Sequence, residues 1–554
     1  MITFHSRKAR GSRATAPEET PSSTNMYEHG AGSAASLLNP KTINWLQAGT
    51  ILLFSLLPVF VNLPYRVNIF LSWEGAYRLY LGQVPFRDFG MPLGFGYFAL
   101  PAVFFKIFGP YLFSLVYAQA FLNILTLFSL RSVLKLLGVK PVNVLLAIVV
   151  MCLTFTFPIN FWPWYNNSAF VYGLFGLNMI LLYEFREEKK LKWLFLVAAG
   201  FFMAFALLTK QDYGGLAFVF GFVLLGYNSL VDGEYKGILV YLASYVFFLA
   251  VFIVPFLPYD FLYWFNYGQA PHDSRLHPVS FANEIIGDSL YEKMYLLFIG
   301  FALFLRYSSI KPLLYNKQEG TFFLLATGMV LMALITKVTS RLPADTSTYF
   351  HAFAFAYLAD SFTKKTRTST LPYLAVMGTL VIFWWSGVFW KYAGKFVNFR
   401  NEGDAPVAAE AQINWQLTNY RAFKKVYLPE KTVAGIERIK KLPVVQNKAD
   451  LKVLNMSELT PLAHEIGYTP MTGQPLWYHL NIGMFEEQAE EFKQKIAGGT
   501  YDLVLFEDIP SLTEFYPYEV REQLQKDYEL QDRFLAPRVL GDSYIEVYTR
   551  KNDQ

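Results

Sequence analysis

The sequence predicts a polytopic α-helical membrane protein of about 11 transmembrane helices, followed by a small α/β domain outside the cytoplasm. Three observations predict it. The 554 residues are 54% hydrophobic and only 16% charged, where a soluble chain of this size carries roughly 25% charged residues. That deficit is concentrated in apolar runs of roughly 17–25 residues, the length that crosses a hydrocarbon core of about 30 Å. From residue 391 onward charges become frequent and the apolar runs shorten.

Residues 1–40 are rich in Ser, Ala, Gly and Pro and carry Arg7, Lys8, Arg10 and Arg13. They read as a disordered cytoplasmic tail. They do not read as a cleaved signal, because the next apolar run is too long and lacks a cleavage site. The expected spans are 43–63, 111–130, 142–158, 167–184, 193–208, 213–230, 237–257, 291–306, 321–337, 346–362 and 371–390. Segment 93–108 is apolar but short, and Pro101 and Lys106 interrupt it. It is expected to lie in or dip into the interface, inside a first external loop of residues 64–110, with a true span as the alternative.

Charge fixes the expected orientation, since short cytoplasmic loops are enriched in Lys and Arg. The tail, Arg131 with Lys135 and Lys140, Arg186 with Lys189, Lys190 and Lys192, Lys236, Arg306 with Lys311 and Lys317, and Lys364, Lys365 and Arg367 all fall on one side. The N-terminus is then cytoplasmic and residues 391–554 lie beyond the membrane. In that part LKVLNM (451–456), YDLVLFE (501–507) and SYIEVYT (543–549) read as strands, and 431–441 and 485–497 as helices. The net charge of +5 resides in basic residues that topology explains, so no nucleic-acid partner is implied. Cys152 is the only cysteine, which excludes an internal disulfide and a cysteine metal site.

The residues with chemistry cluster in LSWEGAYRLYLGQVPFRDFGMPL, 71–93. Glu74 and Arg78 are four apart on a helix and can pair, while Trp73, Tyr77, Tyr80 and Leu81 share a stripe. An interfacial helix with a solvated ion pair explains these residues. So does a cavity-facing Glu74 whose proton affinity is raised by low-dielectric walls, as suits a general base. Asp88 lies in a turn-rich sequence where Asp bonds its own backbone. Yet Arg87 and Asp88 lie between Phe86 and Phe89 near membrane depth, where charges are costly and mark function or pairing.

This succession of a first span, an acidic residue followed by Gly and an aromatic helix, a VPFRDF turn and a Pro-containing segment ending KIFG resembles the GT-C glycosyltransferases. It is similar in particular to the bacterial dolichyl-phosphate-mannose mannosyltransferase and aminoarabinose transferase group. Many members read Asp-Glu-Gly where this chain has Trp73-Glu74-Gly75, and the absent leading Asp leaves Glu74 and Asp88 as alternative catalytic carboxylates, with Glu74 preferred. WPWYNN, with Tyr165 and Asn166, resembles the family's aromatic-Tyr-Asn turn. TKQDYGG resembles its Lys-Gln element, with Lys210 as a phosphate ligand and Gln211 and Asp212 as sugar ligands. SRLPADTSTYFHAF resembles a late element with Arg341 as a second phosphate ligand, followed by Asp345 and His351. Arg87 is a third cation for phosphate, and Trp73 and Tyr77 are candidate sugar or acceptor contacts.

The resemblance implies a glycosyltransferase of the bacterial cytoplasmic membrane. It would move a sugar from a polyprenyl-phosphate donor to a lipid, glycan or protein acceptor at the outer face, with inversion. A lipid phosphate is a stable leaving group, so cationic clamping matters more than a general acid. Some GT-C members use a divalent ion (Mg or Mn) and others do not; no cofactor is certain. His272 and His277, with Asp273 and Arg275 in the 258–290 loop, lack the spacing of a metal site. The competing reading is a transporter or flippase for a lipid-linked sugar. It predicts internal repeats, and none is evident.

Overall fold

A computed structural model describes residues 39–186, 191–269, 278–306, 311–340, 344–365, 370–397, 413–538 and 543–551. Residues 1–38 of the expected tail, Lys189, Lys190, Arg341, Arg367, His272, Asp273, Arg275 and His277 lie outside these described residues.

Each of the eleven apolar runs forms a helix. α1 (Pro40–Leu56) opens on Asn39, whose side-chain oxygen accepts from the Thr42 N–H, satisfying an amide that the first turn leaves unpaired. The first loop adds α2 (Ile69–Tyr80) and α3 (Gly96–Phe108). The bundle continues with α4 (Leu112–Leu136), α5 (Pro141–Phe155), α6 (Tyr165–Phe185), α7 (Lys192–Leu207), α8 (Gln211–Asp232) and α9 (Lys236–Ile253). It closes with α10 (Leu290–Arg306), α11 (Lys317–Ser340), α12 (His351–Lys365) and α13 (Thr370–Val397). Among the described residues, α1, α4, α6, α8, α9, α11 and α13 are long and apolar enough to cross a bilayer. α5, α7, α10 and α12 are shorter, at 15 to 17 residues.

Two expectations change. The span expected from 346 begins as a 3-10 turn, Ala344–Phe350, before α12, in a stretch where Ser and Thr hydroxyls compete for backbone partners. Pro101 was expected to interrupt its segment, but α3 runs through it. The loss of one early backbone bond is offset by burial of Tyr97, Phe98, Ala102 and Phe105. α3 packs on α2 at Gly75, where a Cβ would stand 2.6 Å from the Phe98 ring. Only glycine permits that approach.

The C-terminal domain has a four-stranded sheet in the order β5 (Val453–Met456), β7 (Leu503–Asp508), β9 (Tyr544–Arg550), β8 (Tyr528–Leu535), with β5 and β7 parallel and the rest antiparallel. Helices α14 (Glu430–Lys441), α15 (Glu486–Ala497) and α16 (Tyr518–Asp527) cover it. Side chains alternate across a strand, so Leu503 and Leu505 face one core while Val504 and Phe506 face the other. This explains the continuous apolar run in YDLVLFE. The first core also contains Leu63, Ile69, Phe70, Trp73 and Phe98 of the first loop. Loop and domain therefore fold around shared apolar surface. Short strands stitch them further: β1 (Leu63–Pro64) pairs with β4 (Val426–Pro429), and β2 (Phe89–Gly90) with β6 (Gln474–Pro475). β3 (Trp415–Leu417) pairs with β4.

A buried ionic clamp fixes this junction. Arg538 pairs with both Glu458 and Glu507, and all three side chains are sealed from solvent. The Asn68 N–H of the first loop donates to Glu458 Oε1 at 3.2 Å, and the Tyr65 hydroxyl to the Glu458 carbonyl at 2.8 Å. Burial pushes the Glu458 carboxyl up to about 7, with Arg538 opposing and Glu507 adding to the rise. A proton bound in the folded state at that value and released in the unfolded state near 4.5 makes Glu458 a contributor whose support fades as pH rises from about 4.5 to 7. The C-terminal domain is predicted to lose stability across that window in thermal unfolding, and E458Q to flatten the slope. Arg538→Leu, which strands two buried carboxylates, is predicted to cost about 3–5 kcal/mol, read as lost hydrogen-exchange protection in β1 and α2.

Candidate active site

Glu74 is enclosed. Its Oε1 takes the Arg78 Nε and Nη2 at 2.9 and 2.8 Å. Arg78 Nη1 donates to Gln83 Oε1 at 3.0 Å and to the Met471 carbonyl at 2.9 Å, so the C-terminal domain closes over the pair. Asn455, Thr460, Tyr468, Gln474 and Tyr478 wall a chamber of about 10 Å³, room for one water. Glu74 Oε2 has no hydrogen bond there among the described residues. Burial raises the Glu74 carboxyl above its ordinary 4.5, and Arg78 opposes the rise. Trp73 donates its Nε1–H to the Pro110 carbonyl at 3.1 Å, and Tyr77 stacks on it with ring centroids 4.5 Å apart. Both rings pack the loop rather than line an open cavity.

Asp88 is placed differently. It sits in a tight turn where Phe86 adopts φ 67°, an uncommon conformation for a bulky residue and one that collects at functional sites. Arg87 grips the Asp88 carboxylate as a fork at 2.9 and 2.6 Å, and the Val84 N–H donates to it at 2.7 Å. The Arg87 hydrogen bonds hold the Asp88 carboxyl below its ordinary 3.8. The Arg87 side chain is 46% exposed and that of Asp88 15%, so this carboxylate is reachable and stays ionised. The turn rests on the 254–265 segment through Phe86 against Phe256 and Phe261.

That segment also borders the TKQDYGG junction. Lys210 Nζ stands 3.0 Å from Asp212 Oδ2 and 6.0 Å from the Tyr165 ring centroid. Asp212 Oδ1 accepts from the Tyr213 N–H at 2.7 Å, and Thr339 bonds the same carboxylate. The Gln211 amide donates to the Phe265 carbonyl. Gln211, Leu262, Phe265 and Asn266 line an open cavity of about 550 Å³. The first loop reaches this junction directly: at Gly94 a Cβ would fall 1.7 Å from the Leu208 carbonyl oxygen. Tyr97 joins the two carboxylate regions, with its ring edge-on to Tyr165 at 5.9 Å and within electrostatic reach of Glu74.

Other sequence candidates lie elsewhere. Asn166 is buried and its Oδ1 has no hydrogen-bond partner among the described residues. His351 is buried at the start of α12, its Nε2 2.9 Å from Glu292 Oε1, which also takes the Lys337 Nζ at 2.7 Å. Asp345 belongs to the 3-10 turn. Among the described residues no three His, Cys, Asp or Glu side chains gather as a metal site. A larger cavity of about 990 Å³ lies between α10, α12 and α13, walled by Tyr295, Phe298, Phe355, Trp384 and Trp385. Its apolar walls suit hydrocarbon rather than sugar.

Sequence reading missed Tyr97, Lys337 and Glu292. The last two carried a usable signal, being charges within or at the edge of apolar runs.

No family model and no curated protein matches the sequence. Solved structures do. ArnT from Cupriavidus metallidurans in the apo state matches at a TM-score of 0.53 and 10% identity, over 93% of this chain and 98% of that one. The same ArnT bound to undecaprenyl phosphate matches at 0.49 and 10%, over 91% and 97%. The arabinofuranosyltransferase AftD from Mycobacteria matches at 0.45 and 12%, over 93% of this chain and 42% of that one. The chain has the fold of the GT-C membrane glycosyltransferases.

Proposed function

We propose that this protein is a glycosyltransferase that moves a sugar from a polyprenyl-phosphate donor to an envelope lipid, glycan or protein acceptor. The reaction would take place at the outer face of the cytoplasmic membrane, with the N-terminus inside and residues 391–554 as the outer domain. The observation that carries this reading is the open cavity of about 550 Å³ lined by Gln211, the residue between Lys210 and Asp212 in the sequence. The fold shared with apo ArnT supports it, and ArnT itself binds undecaprenyl phosphate.

In this reaction the acceptor oxygen attacks the anomeric carbon, the bond from that carbon to the phosphate oxygen breaks, and the acceptor proton passes to a carboxylate. Lys210, with Arg341 as its proposed partner, neutralises the departing phosphate. Gln211, Asp212 and Asn266 offer hydrogen bonds to sugar hydroxyls. Asp88 is the carboxylate of choice because it is ionised and partly open. Glu74 is engaged by Arg78 beneath the outer domain, which favours a role in holding the first loop. Arg87 keeps Asp88 charged until the proton arrives.

Asp88→Asn is predicted to lower transfer by about 10²–10⁴-fold, the range for a lost general base, with an unchanged melting temperature. Glu74→Gln is predicted to lower stability first, by about 3 kcal/mol, because it leaves Arg78 without its counter-charge. The pH profile separates the two carboxylates. With Asp88 as base, the acid limb of the rate lies below its ordinary 3.8; with Glu74 as base it lies above 4.5. Full transfer by D88N would overturn the assignment.

A further inference from the structure

The turn between β3 and β4 carries Arg421, Lys424 and Lys425 and is fastened to the ends of two membrane helices. The Ala422 carbonyl accepts from the Leu112 N–H, the first amide of α4, at 2.9 Å, and the Lys425 carbonyl accepts from the Leu63 N–H at 3.0 Å. Lys425 Nζ donates to the Val59 carbonyl, in the 3-10 turn that ends the first span, at 3.3 Å. The spans Pro40–Phe60 and Leu112–Leu136 are long and apolar enough to cross a bilayer, so these contacts hold the turn where hydrocarbon gives way to headgroups. Lys425 adopts φ 63°, a left-handed backbone that costs a side-chain-bearing residue energy and persists where its surroundings fix it. Arg421 and Lys424 take no part in this anchorage. Both are exposed, and neither makes an ion pair among the described residues. The carboxylate at the turn, Glu465, accepts from the Ala422 N–H at 3.3 Å and stands 3.5 Å from Lys440 Nζ.

A track of rings leads from this turn along α4 and α3. Lys425 Nζ lies 4.5 Å from the Phe113 centroid, Phe113 5.3 Å from Tyr117, Tyr117 4.8 Å from Phe108 and Phe104 5.9 Å from Phe121. From Phe113 to Phe121 the helix rises about 12 Å, most of one leaflet's hydrocarbon depth. Phe108 and Phe121 are exposed along it, and Phe60, beside the Val59 anchor, is 79% exposed. Solvation accounts for Arg421 and Lys424 singly, but not for their seat at the head of an exposed apolar track.

We infer that the Arg421–Lys424 turn binds the headgroup of an anionic phospholipid whose acyl chain lies along the exposed Phe108 and Phe121 rings. Charge complementarity selects an anionic lipid: two unpaired cations at headgroup depth attract negative charge, and a guanidinium grips phosphate oxygens as a fork. The track selects a lipid over free phosphate, which would use the cations alone. The site is separate from the Lys210 cavity and does not rest on the transferase reading.

The test is native mass spectrometry of the full chain released from nanodiscs of equimolar phosphatidylglycerol and phosphatidylcholine. The natural protein is predicted to retain phosphatidylglycerol in excess. Arg421→Gln and Lys424→Gln are each predicted to lower that preference about fivefold, the effect of one basic residue at an anionic surface, and the double variant to remove it. The charge-keeping pair R421K/K424R is predicted to bind like the natural protein. Phe121→Ala is predicted to lower phosphatidylglycerol retention with both cations in place. Lys526→Gln, which removes an exposed cation from α16, is predicted to change nothing. An undiminished preference in R421Q/K424Q, or an equal loss in K526Q, would overturn the inference. Displacement of the lipid by millimolar inorganic phosphate, or natural retention in F121A, would reduce the turn to a simple anion site and overturn it as well.

Discussion

Arg78 is the buried cation around which the junction of the first loop and the C-terminal domain is built. A guanidinium removed from water must have its charge matched and its N–H groups bonded. Here Glu74 one turn earlier, Gln83 in the following turn and the Met471 carbonyl of the C-terminal domain do so. Its plane also lies over the Phe89 ring at 5.4 Å. One side chain thus sets the register of α2, the course of the chain toward Asp88 and the seat of a domain almost four hundred residues away. The β2–β6 pairing, with the Gly473 N–H bonded to the Asp88 carbonyl at 2.7 Å, extends the same junction. Because Arg78 occupies Glu74 inward, the reachable carboxylate of the loop is Asp88.

The ends of the bundle follow a second rule, that charges close to an apolar interior find partners. At the end away from the C-terminal domain, Lys317 pairs with Glu184 and Asp232, and Lys364 with Asp360 and Glu319. All but Lys364–Asp360, which lies within α12, tie one helix to another. At the other end, Lys210–Asp212 also pairs, and Gln211 between them lines an open cavity. A polar side chain on a cavity wall can meet a ligand, whereas a polar pair between packed helices holds them together. That distinction separates the proposed donor site from the Lys337–Glu292–His351 cluster behind it.

Much of this was readable from sequence because bilayer crossing imposes its pattern locally. The eleven apolar runs became eleven helices, and the strands around Leu454, Leu505 and Val547 fell where their apolar runs predicted. The four-residue spacing of Glu74 and Arg78 predicted their pairing correctly. It did not predict that Met471 and Gln474 close over them, because that contact depends on the folded position of a distant segment. The Glu458–Arg538–Glu507 clamp was invisible for the same reason: its members are ordinary charged residues in three separated stretches. His351 stood out as a lone polar residue at a span, but its partners on α10 and α11 could emerge only from helix packing.

Consumption of a polyprenyl-phosphate-linked sugar at the outer face, as proposed, is read by mass spectrometry of polyprenyl-linked sugars and envelope glycans from cells with and without this protein. Without the protein, one polyprenyl-phosphate sugar should accumulate, and the same single sugar should vanish from an envelope lipid, glycan or protein. Identical lipid-linked pools and identical envelope glycans in the two strains would contradict the account.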